Sequence, residues 1–262
     1  MATPPSYPLP RERNLILASL LILAAAAWLI VIAQARASAE ATIGLTMGMA
    51  APLFVAIWIV MMVAMMFPTA APMILMFARI AAGKRERGQA FVPTWVFVAA
   101  YLVVWTLFGI VAYLVAIGVE ALAQQTMWLM DNAARIGGIV LTIAGLYQIS
   151  PLKRSCLTKC RSPLSFIMGS WRDGYGGAFR MGLEHGAYCL GCCWLLFVIL
   201  FPLGVMNVAV MALLTLLIFA EKSLPTGPQI AKLTAAALIV YGALVIFMPS
   251  ALPTMMPSGA GM

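Results

Sequence analysis

The sequence predicts an all-α membrane protein, a polytopic transmembrane bundle of about seven helices. Hydrophobic residues make up 64% of its 262 residues, charged residues only 9%, and the mean hydropathy is +1.02. Soluble domains carry roughly a quarter charged residues and no apolar run near the ~18–20 residues that span a bilayer. The apolar runs are continuous, whereas a membrane strand would alternate in polarity and be about half as long. We therefore expect helices rather than a barrel.

Seven apolar runs define the predicted spans of a single domain over residues 1–250, which a Pro- and Met-containing tail follows over 251–262. The first run follows Arg11 and Arg13 as a secretory signal would, but it is longer than the ~7–15 apolar residues of a signal core. We expect it to remain as the first helix. The runs cover about 14–33, 51–78, 94–118, 134–150, 186–202, 204–220 and 231–249.

Basic residues collect in alternate connections between these runs. They lie in the N-terminal segment, in the second loop over 79–87 and in the fourth loop over 153–180, whereas the other connections carry few. Because Lys and Arg collect on the cytoplasmic side, the N-terminus is predicted inside and the C-terminus outside a bacterial inner membrane. This topology, with membrane lipid as a partner, accounts for the net charge of +8. No basic stripe interleaved with aromatic residues is found, so nucleic acid is not an expected partner.

The only histidine stands beside three of the five cysteines. His185, Cys189, Cys192 and Cys193 fall within about 100° of one helix face, and Glu184 precedes them. Imidazole and thiolate favour Cu(I) and Zn(II), and thiol-rich sites favour Cu(I) in particular. Small cysteines and neighbouring glycines could instead serve close helix packing. Polar residues gathered at a membrane boundary favour a functional site.

Two further cysteines, Cys156 and Cys160, lie in the fourth loop at i, i+4 spacing. On a helical turn they share a face and could hold one metal ion or form a redox pair. The alternative is a basic interfacial loop with two incidental thiols. The predicted topology places this loop on the same side as the start of the fifth span, so we expect its thiols to approach that cluster. Cytosolic thiols are kept reduced, which favours metal binding or reversible redox chemistry over structural disulfides.

Methionine is the third soft residue type, with 19 in the chain. Met61 and Met65 form an i, i+4 pair before Pro68, which is predicted to bend or split the second helix. Thioethers are soft ligands for Cu(I) and bind Zn(II) poorly. The alternative is that these methionines fill gaps at a kink. Further methionines on the predicted outer side fit copper capture without thiols: Met47, Met49, Met255, Met256 and Met262.

Glu221 and Lys222 lie at the cytoplasmic end of the sixth span, which also contains Asn207. The carboxylate and ammonium could form an ion pair, anchor the helix at the interface, or support His185 from outside its ligand shell. We interpret Lys222 as an interfacial anchor and keep Glu221 as a candidate ligand.

Four ordered segments resemble an uncharacterised bacterial family of predicted metal-binding integral membrane proteins, some of whose relatives are labelled copper chaperones. The resemblance covers about residues 45–225 and implies a polytopic inner-membrane protein with a metal site. The family offers no established reaction to carry over. The segments are 58–66 with Pro68, Pro72 and Met73, then 147–160, 182–194 and 206–222.

Catalytic motifs are missing from the sequence, which has no HExxH, GxSxG or Walker-type loop. Three functions remain: a Cu(I) chaperone or carrier that delivers metal to a copper-dependent membrane enzyme or another metallochaperone, a membrane thiol-redox protein, and an accessory subunit of a larger membrane complex. Copper handling leads because thiols and thioethers occur together, with zinc as the alternative ion. The candidate ligands are His185, Cys189, Cys192, Cys193, Cys156, Cys160, Met61, Met65, Glu184 and Glu221.

Overall fold

The computed structural model describes residues 10–37, 44–88 and 92–253, and across these ranges the regular structure is entirely helical. The all-α prediction is confirmed. The helices are α1 Pro10–Ala37, α2 Ala51–Glu86, α3 Thr94–Gln125, α4 Met127–Asp131, α5 Ala133–Gln148, α6 Pro151–Arg161, α7 Pro163–Ser170, α8 Gly174–Val198, α9 Leu200–Leu203, α10 Val208–Ser223 and α11 Gly227–Phe247, followed by a short 3-10 turn at Pro249–Ala251.

Five helical segments are long and apolar enough to cross a membrane, which is the signature of a membrane protein. They lie in α1, α2, α3, α11 and the continuous stretch formed by α8 and α9. Among these helices α2 is the most central. In its most apolar stretch 61% of the residues are buried, compared with 17% in the corresponding stretch of α3. Apolar side chains on the outer faces, such as Leu107 and Leu114, are exposed and suit contact with lipid.

The predicted count of about seven spans is not confirmed. The described residues hold five qualifying helices, or six if α5 and α6, which meet at a 61° bend, count as one broken span. The runs predicted at 134–150 and 204–220 form α5 and α10, each with 16 residues. At 1.5 Å per residue such a helix is about 24 Å long, shorter than the ~30 Å hydrocarbon core.

One helix start and one predicted break differ from the sequence interpretation. The helix expected over 186–202 begins at Gly174, so Glu184 and His185 lie well inside α8 rather than at its start. Pro68 does not split α2, because the helix continues through it and through Pro72 to Glu86.

Small residues and one indole hydrogen bond hold the central helices together. A Cβ atom on Gly182 would overlap the carbonyl of Phe97, and the same close approach of α3 and α8 recurs at Gly186. The Trp58 Nε1 donates to the Trp105 carbonyl at 3.0 Å and ties α2 to α3. The tight α3–α8 seam positions the cysteines of α8.

One end of the bundle, the basic end, gathers the segments predicted to be cytoplasmic. Arg85 pairs with Glu12 at 2.7 Å, and Lys84 pairs with Asp173 at 3.1 Å. A hydrogen bond from Trp171 and the Lys84 ammonium hold the pKa of exposed Asp173 below its usual range. The N-terminal, second and fourth predicted connections are therefore neighbours.

The opposite end, which we call the Glu120 end, joins the remaining connections. The backbone amide of Thr46 donates to Glu120 at 2.7 Å. Leu252, near the end of the described chain, packs beside Gly137 and Pro202. The first turn of α1 therefore lies at the basic end and the segment near Leu252 at the Glu120 end, while the predicted orientation of the termini in the membrane stays a prediction.

Candidate metal centre

Cys189 lies at the centre of a buried polar site between α3, α8 and α10. Its sulfur accepts a hydrogen bond from the Lys222 ammonium at 3.0 Å and lies 3.1 Å from the Tyr101 hydroxyl. The Cys189 side chain is fully buried, and Tyr101 is 1% exposed. A buried ammonium needs an acceptor, and among the described residues the partner of Lys222 is this sulfur.

Three more thiols surround Cys189. Cys192 and Cys193 donate to its backbone carbonyl at 3.1 and 2.8 Å. Cys160, on α6, interacts through its side chain with both Cys189 and Cys192. We call these four residues, Cys160, Cys189, Cys192 and Cys193, the sulfur cluster. All five cysteines of the chain are free thiols.

Local sequence explains how α6 reaches α8. Ser150 caps α6 by accepting from the Lys153 amide at 3.2 Å, and Pro151 opens the first turn. Gly191 leaves room for the approach, because its missing Cβ would stand 2.7 Å from the Cys156 sulfur. Cys156 thus packs against α8 beside the cluster, and the structure brings the two predicted cysteine groups together.

His185 lies one turn before Cys189 on α8 and is 3% exposed. Its ring stacks on those of Phe97 and Tyr101 at centroid distances of 5.8 and 5.4 Å, and Phe166 of α7 covers it at 5.7 Å. Within the described residues its Nε2 has no hydrogen-bond partner. An orphaned buried imidazole nitrogen fits a ligand that binds from outside the chain.

The candidate carboxylate Glu221 is engaged elsewhere. Its two oxygens accept from Lys153 at 2.6 Å and from Gln148 at 3.0 Å, and Lys153 and Glu221 are only 1% and 2% exposed. Lys153 also donates to the Gln148 side-chain oxygen. The neighbouring Lys222 is not an interfacial anchor as interpreted from the sequence, because it turns inward and is buried against Cys189.

The other candidates are distributed around the bundle. Glu184 forms an i, i+4 pair with Arg180 at 3.1 Å on a partly exposed face of α8. Met65 is fully buried in α2. Met61 lines a small pocket at the Glu120 end with Met49 and Met206. The predicted outer methionines Met255, Met256 and Met262 lie outside the described residues.

The sulfur cluster sits where the two short helices end. Tyr147, at the end of α5, donates to the Gly191 carbonyl, and Lys222, at the end of α10, reaches Cys189. Both contacts fall in the C-terminal half of α8, which runs from Gly174 to Val198. The helices α6 and α7 cover the part of α8 between the cluster and the basic end, and neither of the two is a membrane span by itself.

The donor set fits a soft ion of low coordination number. No group of three or more His, Cys, Asp or Glu side chains in the described part of the chain is arranged to enclose an ion. The adjacent pair that Cys160 forms with Cys189 or Cys192 nevertheless offers two sulfurs from two helices. Structural zinc almost always takes four ligands, whereas thiol-rich sites select Cu(I), which is stable with two or three.

Sequence reasoning did not assign roles to Tyr101, Lys153 or Gln148. Tyr101 is one aromatic residue in an apolar span, and nothing in its neighbourhood distinguishes it from a packing residue. Lys153 belongs to a basic segment that predicts a solvated loop. A cation that closely follows a Ser-Pro helix start and precedes two cysteines was the available signal, but its partner Glu221 is 68 positions away.

The fold and the site together define a class: a helical membrane protein with an enclosed cluster of free thiols beside a buried ammonium. The chain belongs to the PpoB2 family, described as Copper chaperone, which it matches over residues 55–245. The resemblance found in the sequence is thereby confirmed, and the matched region contains the whole sulfur cluster. Membership supports a copper-related role. No curated protein and no solved structure matches the chain.

Proposed function

We propose that the protein binds Cu(I) at the sulfur cluster in the bacterial inner membrane and passes it on as a chaperone, carrier or delivery factor. The observation that carries the proposal is the contact of Cys160 on α6 with Cys189 and Cys192 on α8, inside a chain of a copper chaperone family. Thiols from two different helices suit an ion that is bound and then released.

Ligand chemistry favours Cu(I) over Zn(II). The buried donors are thiols and one imidazole, while Glu221 is held by Lys153 and Glu184 by Arg180. A soft, oxygen-poor donor set selects Cu(I). Two of Cys160, Cys189 and Cys192 supply the thiolates, and the free Nε2 of His185 is available as a further ligand.

Lys222 supplies the charge that such a site needs. One Cu(I) ion held by two thiolates carries one net negative charge, and an uncompensated charge in an apolar core is costly. The Lys222 ammonium already lies 3.0 Å from the Cys189 sulfur. It therefore balances the loaded site without a further protein movement.

Transfer to a partner proceeds through the α6 side of the cluster. Cys156 is only partly buried, whereas Cys189 is fully buried, so the thiols form a gradient of accessibility from the surface inward. A thiol-bearing metallochaperone or a copper-dependent membrane enzyme would exchange ligands at this side. The partner is recognised by its own soft ligands rather than by net charge.

Copper retention by cysteine variants tests the proposal. The full-length protein is purified in detergent under reducing, anaerobic conditions, loaded with Cu(I), desalted and analysed by elemental mass spectrometry. We expect the sulfur cluster to hold about one copper per chain in the wild type, and Cys189→Ser with Cys192→Ser to lose that ion. Helix packing tolerates the small hydroxyl, so the double variant should elute as a folded protein.

Matched controls separate ligand loss from general damage. Cys156→Ser removes a thiol that packs against Gly191, and Glu184→Gln removes a carboxylate paired with Arg180. Both variants should keep most of the copper. Full copper content in the double cysteine variant, or zinc without copper in the reduced wild type, would overturn the assignment.

Thiol-redox chemistry is the second candidate, and the same contact of Cys160 with Cys189 and Cys192 favours it. Mass spectrometry of protein alkylated inside cells distinguishes the two. A Cys160 disulfide to either residue that forms and breaks without copper would move this function ahead. Stable co-purification with a larger complex, with no metal bound, would instead support an accessory subunit.

Reporter fusions test the proposed orientation. A reporter near Cys156 should be active on the cytoplasmic side, and one at Met262 should be active outside. A cytoplasmic signal at Met262 would mean that α5 or α10 does not cross the membrane, because each has only 16 residues.

A further inference from the structure

A small pocket at the Glu120 end is unusually rich in methionine. Three of its seven lining residues are methionines, and none of the lining residues is charged. The space between the lining side chains is too small for a water molecule, so these side chains pack closely around it. The lining residues are Met49, Phe54, Ile57, Trp58, Met61, Val205 and Met206.

The first of the three thioethers is held by a fixed loop. Met49 follows a turn in which Met47 and Gly48 both take positive φ, at 52° and 66°. Left-handed backbone is unfavourable for a residue with a side chain and persists only where the surroundings enforce it. The enforcing contacts come from α3, where Glu120 accepts from Thr46 and the Tyr113 hydroxyl donates to the Met49 carbonyl at 3.3 Å.

The other two thioethers come from separate elements. Met61 projects from the buried face of α2 and is 1% exposed. Met206 lies between α9 and α10, in a turn that Gly204 permits with a φ of 97°. Asn207 fixes this turn, because its side chain accepts from the Val210 amide at 3.2 Å and donates to the Leu203 carbonyl at 3.3 Å.

Three thioethers from three segments of the chain line one pocket, and together they form a ligand set for a soft cation. Thioethers are neutral, bind Cu(I) and add little for Zn(II). The indole of Trp58 lines the same pocket, and an aromatic ring near a bound cation contributes additional attraction. Met49 and Met206 are partly exposed while Met61 is buried, so an ion can enter from the Glu120 end and be held at depth.

We propose that Met49, Met61 and Met206 form a second soft-metal site, a thioether site for Cu(I) separate from the sulfur cluster. The identity of the ion rests on the proposed copper function, while the existence of the site does not. The two sites differ in kind: the pocket binds through neutral sulfur and needs no counter-charge, whereas the cluster binds through thiolates beside Lys222. The pocket therefore keeps its affinity at acidic pH, where protons compete for thiolates.

The test uses full-length protein in which all five cysteines are replaced by serine, so that only thioethers remain as soft ligands. Cu(I) supplied as its acetonitrile complex, and Ag(I) in a parallel titration, are the probes. We expect about one ion per chain, with only sulfur neighbours in X-ray absorption. The triple variant that combines Met49→Leu, Met61→Leu and Met206→Leu should bind the ion with an affinity at least about tenfold lower.

The matched control replaces three buried methionines that do not line the pocket, Met66→Leu, Met73→Leu and Met181→Leu, and should leave the affinity unchanged. Equal affinity in the two triple variants, or no ion bound by the cysteine-free protein, would overturn the site. If the cysteine-free chain does not fold, the pocket substitutions are made in the wild-type background and the copper bound per chain is measured. The triple pocket variant should then lose one of the two ions that the wild type holds.

The outcomes keep the two proposals apart. Loss of copper only in the pocket variant, with none in Cys189→Ser and Cys192→Ser, would refute the sulfur cluster and leave the pocket standing. The reverse pattern would refute the pocket alone.

Discussion

We propose soft-metal binding for both the sulfur cluster and the methionine pocket, the latter lined by Met49, Met61 and Met206, and the surroundings of the two sites differ. The cluster lies beside Lys222 and close to the buried Lys153–Glu221 pair. The pocket has aromatic and aliphatic neighbours and no charged lining residue. The difference follows from the ligands, because thiols bind metals as anions and thioethers bind them as neutral groups.

This contrast shows where a membrane protein accepts the cost of burying charge. Ion pairs in an apolar interior are weak evidence for stability, and breaking one by removing a single partner is strongly destabilising. Charges are gathered around the cysteines, where anionic ligands require them. The lining of the pocket has no charged residue and avoids that cost.

The largest expected effect on stability comes from breaking the Lys153–Glu221 pair. Lys153→Met leaves the Glu221 carboxylate buried without its cation, which should destabilise the protein by about 3–5 kcal/mol. Thermal unfolding in detergent measures the change. Adding Glu221→Met should restore most of the stability, since it removes the orphaned charge. If the stability losses of the two single variants simply add in the double variant, the two residues are not coupled.

The next effect concerns the seam that positions the cysteines of α8. Gly182→Ala places a methyl group against the Phe97 carbonyl, and overpacking of this kind costs about 1–3 kcal/mol. Gly176→Ala is the matched control, because no atom lies within 4 Å of its added Cβ. The melting temperature should fall only for Gly182→Ala, and copper should be lost from the cluster before the pocket.

A smaller effect is expected at Lys222. Lys222→Met removes the cation beside Cys189 and should weaken Cu(I) binding at the cluster about tenfold, while Lys222→Arg should keep part of the affinity. Competition with a chromophoric Cu(I) chelator measures both. Lys232→Met, an exposed residue of α11, controls for net charge. The pocket should be insensitive to all three changes, and a parallel loss there would argue against two separate sites.

The smallest effect is expected at Glu184. Its pair with Arg180 is solvent-accessible, so Glu184→Gln should change stability by no more than about 0.5 kcal/mol. Copper content should equal that of the wild type. A marked loss of copper would show that Glu184 is a ligand after all, and that α8 rotates when the metal binds.

Much of the site was accessible to sequence reasoning where neighbours in space are also neighbours in the chain. His185 and the three cysteines of α8 share a face because helical periodicity fixes their directions. The approach of Cys160 could be expected from topology alone. The partners of Glu221 and Lys222 could not, because they come from α5, α6 and α8, and many pairings satisfy the same sequence.

Composition and hydropathy determined that this chain is helical and built for a membrane, because the requirement to satisfy backbone hydrogen bonds in lipid leaves few alternatives. The soft residues predicted a soft ion. Only the tertiary structure decided that α5 and α10 end at the sulfur cluster, that Lys222 turns inward to Cys189, and that Met61 faces Met49 and Met206. These features depend on how helices rotate and cross, which is set by packing of side chains far apart in sequence.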